Sequence, residues 1–106
     1  MRARVAVRDE LRQAGGAVHG GVYAAIADAL ATRGTDAGVR SEGKLAIGLA
    51  NHTNVLAPIT AGAIHAQATR RHRGRTTWVW EVAISDDAGR ACATARVTVA
   101  VRERSP

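Results

Sequence analysis

The residues best suited to chemistry lie in one segment, His19-Gly20-Gly21-Val22-Tyr23-Ala24-Ala25-Ile26-Ala27-Asp28, with Thr32 just beyond it. Val22, Ile26, Ala29 and Leu30 recur at i, i+4, i+7 and i+8, so a helix from Val18 to about Arg33 carries one apolar stripe. Asp28 sits about 200° around that helix from Ile26 and points away from the stripe. Thr32 follows at i+4, on the same face one turn later. Earlier turns of that face carry only Gly21, Ala24 and Ala25. A carboxylate and a hydroxyl on a bare face suit a surface or ligand that comes close. The plain alternative is a solvated face with one ordinary aspartate.

The start of the helix favours the first reading. Gly20 and Gly21 leave free backbone N–H groups at its positive end, where an anion or a developing oxyanion could sit. Removing one such donor from an enzyme typically costs about 2.7–4 kcal/mol of barrier. Asp28 begins roughly 12 Å of helical rise beyond Gly20, which is far for both to act on one carbonyl. Two copies with antiparallel helices would bring Asp28 of one near Gly20 of the other. A site shared between subunits is therefore expected.

The remaining elements must hold that helix in place. Arg2 to Arg8 alternates charged and apolar residues, the period of a strand with one buried face. Asp9 to Gly16 reads as a loop, and Gly34-Thr35-Asp36-Ala37-Gly38 as the stop of the helix. Strands are expected from Leu45 to Asn54, from Ala61 to His72, across Thr77 to Ile84, and from Ala91 to Val101. Asp86-Asp87-Ala88-Gly89 is a hairpin signal, and Arg102 to Pro106 reads as a frayed tail. Trp78, Trp80, Val82 and Ile84 share one face, either core or subunit interface. The layout is α+β, a mostly antiparallel sheet wrapped around one central helix, which is the hotdog fold.

Composition limits the partners. With 106 residues the chain is expected to form a single domain, residues 1–106. Three aromatic residues and no Phe leave a thin core of Ala, Val, Ile and Leu, which points to subunit contacts. Fifteen Lys and Arg against nine acids give a net charge of +6, favouring anionic partners. Nucleic acid is not expected, because stacking aromatics are not interleaved with the charge. Cys92 is the only cysteine, which excludes an internal disulfide and fits a reducing compartment. No metal-ligand spacing and no apolar run of spanning length occur, so neither metal nor membrane is expected, and the cytoplasm is the default.

The chain resembles the hotdog thioesterases of the phenylacetate-pathway and aroyl-CoA type. The resemblance rests on Gln13 to Val18, His19-Gly20-Gly21 with Asp28 and Thr32, Gly48 to His52, Pro58 with Gly62, His72-Arg73-Gly74-Arg75, and Trp80 to Arg90. It implies hydrolysis of an acyl-CoA without a cofactor, in a homodimer or homotetramer. Asp28 would activate water or attack the carbonyl, and Gly20 would donate to the carbonyl oxygen. Gln13 would help to polarise that group, His19 would shape the site, and Thr32 would hold the water. Gly21, His52 and Asn54 would line the substrate channel, and Tyr23, beside the helix start, would either line the acyl pocket or simply pack.

Arg73 and Arg75 fall in a basic turn that is either solvated or a clamp for the phosphates of coenzyme A, since arginine matches phosphate geometry well. Aroyl-CoA enzymes with the Gln13 and Asn51-His52 signature usually carry Glu where this chain has Asp28, and some have Arg where it has Asn54. A non-catalytic acyl-CoA-binding module on the same fold is the alternative.

Overall fold

The computed structural model describes residues 1–104, so Ser105 and Pro106 of the expected tail lie outside the described residues. Strand β1 (Arg2–Ala6) leads through a loop to helix α1 (Gly20–Val39). Strands β2 (Lys44–Val55), β3 (Ala63–Arg73), β4 (Thr77–Ser85) and β5 (Ala91–Glu103) follow. All pairings are antiparallel, in the order β1-β3-β4-β5-β2. The sheet curls around α1, the hotdog arrangement expected from the order of elements.

The Trp78, Trp80, Val82 and Ile84 face of β4 is core rather than interface. Val97, Val99 and Val101 of β5 extend it, as their alternation requires. The buried stripe of α1 is Tyr23, Ala27, Leu30, Ala31, Thr35 and Val39. It lies to one side of the expected stripe, for Val22, Ile26 and Ala29 are only half-buried. A pattern drawn from the branched apolar residues passes over Thr35, which is buried because its polar atom is fully engaged. Its Oγ1 donates to the Ala31 carbonyl at 2.8 Å and accepts from Trp80 Nε1 at 2.9 Å.

The expected stop of the helix is also corrected. Helix α1 runs through Gly34 and Gly38 to Val39. A Cβ at Gly38 would lie 2.3 Å from the Trp78 ring, and one at Gly34 would lie 2.7 Å from the Trp80 ring. These glycines admit the two indoles against the helix instead of ending it. The turn comes at Gly43, with φ of 72°, after a short 3₁₀ segment Arg40–Glu42. Strand β5 likewise continues to Glu103, so Arg102 and Glu103 belong to the sheet and not to a tail.

Strand β2 forms one edge of the sheet and crosses beside α1. Its register with β5 shifts between Gly48 and Ala50, a bulge. Ile47, Leu49, Val55 and Leu56 stand exposed along it or just past its end, Leu49 at 57% and Leu56 at 58%. A twelve-residue edge strand with apolar side chains in water invites pairing.

Candidate active site

The loop before α1 is folded back on itself. Arg12 and Val18 form an isolated antiparallel bridge, the Gln13 N–H donates to the Ala17 carbonyl at 2.8 Å, and Gly16 turns the chain at φ 90°. The His19 N–H is taken by the Leu11 carbonyl and the Val22 N–H by the His19 carbonyl. The amides of Gly20 and Gly21 have no backbone partner among the described residues, the condition for an anion site. Gln13, Gly20 and Tyr23 line one pocket of about 260 Å³, closed on its other side by Val55, Leu56 and Pro58. Three of the expected site residues are thus brought together at the head of the helix. His19 is exposed beside them, and its side chain makes no capping bond.

Asp28 and Thr32 lie further along α1 against β2. A Cβ at Gly48 would stand 2.8 Å from Asp28 Oδ1 and 3.8 Å from Thr32 Oγ1. Asp28 is exposed, while the Thr32 hydroxyl is buried without a hydrogen-bond partner. The donor and both acceptor sites of that hydroxyl are open. Asn51 completes the group, donating from Nδ2 to the Ala24 carbonyl at 2.9 Å, with its Oδ1 accepting from Thr53 Oγ1 at 2.7 Å. Neither Gly48 nor Asn51 had been given a role. An isolated glycine inside a strand pattern, a known mark of close approach, was the available signal.

His52 and Asn54 do not join this group within one chain. They alternate with Asn51 and Thr53, so they face the outer side of the sheet beside Arg71, Glu81 and Arg96. Glu81 is held there by Arg96 at 2.7 Å and by Arg71 at 3.1 Å, which keeps its carboxyl below the usual range. Arg73 and Arg75 lie at the far end of α1. The Arg73 guanidinium stands 4.7 Å over the Trp78 ring and 3.7 Å from Glu42, while Arg75 shares a separate pocket with Lys44 and Arg102. Gly74 lets that turn close, since a Cβ there would meet His72 Nε2 at 2.7 Å and the Thr77 carbonyl at 2.8 Å.

A single long helix in a curled antiparallel sheet, with a free-amide helix start and a carboxylate against the edge strand, defines the hotdog class. Residues 15–93 match the family model of the thioesterase superfamily. The 1,4-dihydroxy-2-naphthoyl-CoA hydrolase of Listeria monocytogenes is 32% identical over 98 residues, 92% of this chain and 79% of that protein. The proofreading thioesterase EntH of Klebsiella pneumoniae is 31% identical over 103 residues, 95% of this chain and 73% of that protein. The solved structure of a candidate esterase from Mycobacterium tuberculosis superposes with a TM-score of 0.93 at 37% identity, covering 99% of this chain and 85% of that one. The chain belongs to the thioesterase superfamily and is a thioester hydrolase. No helix among the described residues is long and apolar enough to cross a membrane.

Proposed function

We propose that the chain hydrolyses an aroyl- or arylacetyl-CoA-type thioester to the free acid and coenzyme A, at sites shared between two copies. One relationship carries this reading: Gly20 and Asp28 lie equally far, four residues each way, from Ala24, the residue that Asn51 ties to β2. A two-fold axis passing at the level of Ala24 exchanges those two positions. It therefore sets Asp28 of one copy opposite Gly20 of the other, although roughly 12 Å of helix separates them in one chain. Pairing along β2 supplies such an axis and covers the exposed Leu49 and Ile47.

In that arrangement the thioester carbonyl lies at the pocket of Gln13 and Gly20. The Gly20 amide donates to its oxygen, and negative charge growing there is stabilised without reorganisation. The Gln13 side chain orients the same group. The carboxylate of Asp28 removes a proton from water held by Thr32, or attacks the carbonyl itself. In the first route the activated water attacks the carbonyl, the carbon–sulfur bond breaks and the free acid forms directly. In the second the bond breaks as an acyl–Asp28 anhydride forms, and a water then cleaves that anhydride to give the free acid and restore Asp28. In both the departing thiolate takes up a proton. His19 and Gly21 shape the mouth of the site. The cationic turn of Arg73 and Arg75 suits the phosphates of coenzyme A. His52 and Asn54 are assigned no step.

The test is turnover of benzoyl-, phenylacetyl- and fatty acyl-CoA by wild type and Asp28→Asn. The substitution should lower kcat by about 10²–10⁴-fold, the usual contribution of a positioned base. Equal rates would end the assignment.

A further inference from the structure

The outer face of the sheet, turned away from α1, carries a polar hollow of about 500 Å³ across β1, β3 and β4. Strand register fixes its plan. Arg2 pairs with Gln67 and Gln67 with Ala83, while Arg4 pairs with His65 and His65 with Ser85. These side chains share the outer face, because Ile64, Ala66 and Ala68, which alternate with them on β3, point into the core. The hollow lies at the β1 edge of the sheet, whereas Asp28 meets Gly48 on the inner face at the β2 edge.

Two arginines without an acid partner distinguish it. Arg2 and Arg4 are two residues apart on one strand, so they emerge about 6.6 Å from each other. Neither forms an ion pair among the described residues. The side chains of Arg2, Arg4, Gln67 and Ser85 make no hydrogen bond among those residues either. Elsewhere on the same face, Arg71 and Arg96 are both bound to Glu81. Asp87, on the turn beside the hollow, is engaged twice, accepting from His65 Nε2 at 2.7 Å and from the Ala63 amide at 3.2 Å. Two arginines against that one aspartate leave a positive charge, before any proton on His65.

Free guanidinium, amide and hydroxyl donors from three strands converge on one anion. A carboxylate offers two oxygens in one plane, whereas the tetrahedral oxygens of a phosphate meet donors arriving from several directions, and arginine grips them in pairs. The volume falls within the roughly 300–1,000 Å³ of small-ligand sites, and Ala83 leaves room beside the anion for whatever carries it.

We propose that this hollow is a phosphate-binding site, with Arg2 and Arg4 bridging the anion and Gln67 and Ser85 donating to its remaining oxygens. It is separate from the thioester site and does not depend on that reading. Strand β1 pairs only with β3, so a ligand held from β1, β3 and β4 together ties the edge strand to the sheet.

The probe is inorganic phosphate, titrated calorimetrically into the full chain at constant ionic strength, with acetate as the control anion. Wild type should bind one phosphate per chain, about tenfold or more tighter than acetate. Arg2→Gln and Arg4→Gln should each weaken that binding by about tenfold, the usual loss of a hydrogen bond to a charged group. Arg71→Gln removes the same charge from the same face and should leave it within about twofold. Melting temperatures without phosphate check that each variant folds. Amide shifts on adding phosphate should centre on Arg4 and Gln67. Adenosine 3′,5′-bisphosphate separates the sources: competition with phosphate that Arg4→Gln removes identifies the phosphates of the coenzyme, and no competition identifies free phosphate. Binding that does not saturate, equal affinity for acetate, unchanged affinity in both arginine variants, or shifts centred on Arg73 to Arg75 would overturn the site.

Discussion

Gly48 of β2 leaves room for the carboxylate of Asp28: a side-chain carbon at that position would come within 2.8 Å of Asp28 Oδ1. Real Cβ atoms do not approach a neighbour so closely, so Gly48→Ala must displace either the acid or the strand. The carboxylate is exposed and can turn, whereas β2 is held by its ladder to β5. The acid therefore moves. A misplacement of about 1 Å can cost on the order of 10²-fold in rate. The expected outcome for Gly48→Ala is a fall in kcat of about 10- to 100-fold with little change in KM or melting temperature. Steady-state kinetics beside a thermal melt check it.

The glycines at the other end of α1 make the opposite prediction. Gly→Ala inside a helix ordinarily gains up to about 1 kcal/mol. At Gly38 the new carbon would meet the Trp78 ring at 2.3 Å, and that ring is itself 1% exposed and cannot retreat. Overpacking of this kind costs about 1–3 kcal/mol, so the clash outweighs the propensity. Gly38→Ala should lower the melting temperature, while kcat at the distant Asp28 stays within about twofold. A calorimetric scan decides the sign.

The hairpin between β4 and β5 carries part of the acid sensitivity, alongside Glu81. Asp86 accepts from the backbone amides of Arg90 and Ala88, and Asp87 accepts from His65 at 2.7 Å and from the Ala63 amide. The Arg90 amide is the main cause of the lowered pKa of Asp86, and the bond from His65 is the main cause for Asp87. With the folded pKa depressed, the unfolded chain binds more protons, so stability rises with pH through this range. The contribution is fully present above about pH 4, the unfolded value, and is lost as pH falls through the folded values. Asp86→Asn should melt below wild type near neutrality, and the gap should close in acid. Melting curves across that range test it.

Much of the frame was legible because it is written in local periods. The alternation of Trp78, Trp80, Val82 and Ile84 marked β4 and its buried face, and Asp86 to Gly89 marked the turn after it. The helix start was legible for the same reason. Its end was not, because Gly34 and Gly38 answer to indoles forty or more residues later in the sequence. Thr35 was missed for a related cause: a polar residue can be buried only when a partner such as Trp80 Nε1 is already known.

The site divides the same way. Gln13, Gly20 and Tyr23 meet because the short Arg12–Val18 bridge folds a local loop. The seat of Asp28 depends on the pairing of β2 with β5 and on the bulge after Gly48, which no local pattern records. His52 and Asn54 fell on the outer face because the strand period after that bulge turns Asn51 toward the helix instead.

Subunit mixing tests the central claim most directly. Asp28→Asn and Gln13→Ala chains, each nearly inactive alone, are unfolded and refolded together. If the acid and the carbonyl-binding groups come from different copies, each hybrid dimer rebuilds one intact site. Random pairing should then restore about a quarter of wild-type activity. Activity no greater than the sum of the two parents would contradict a shared site and confine Asp28 to its own chain.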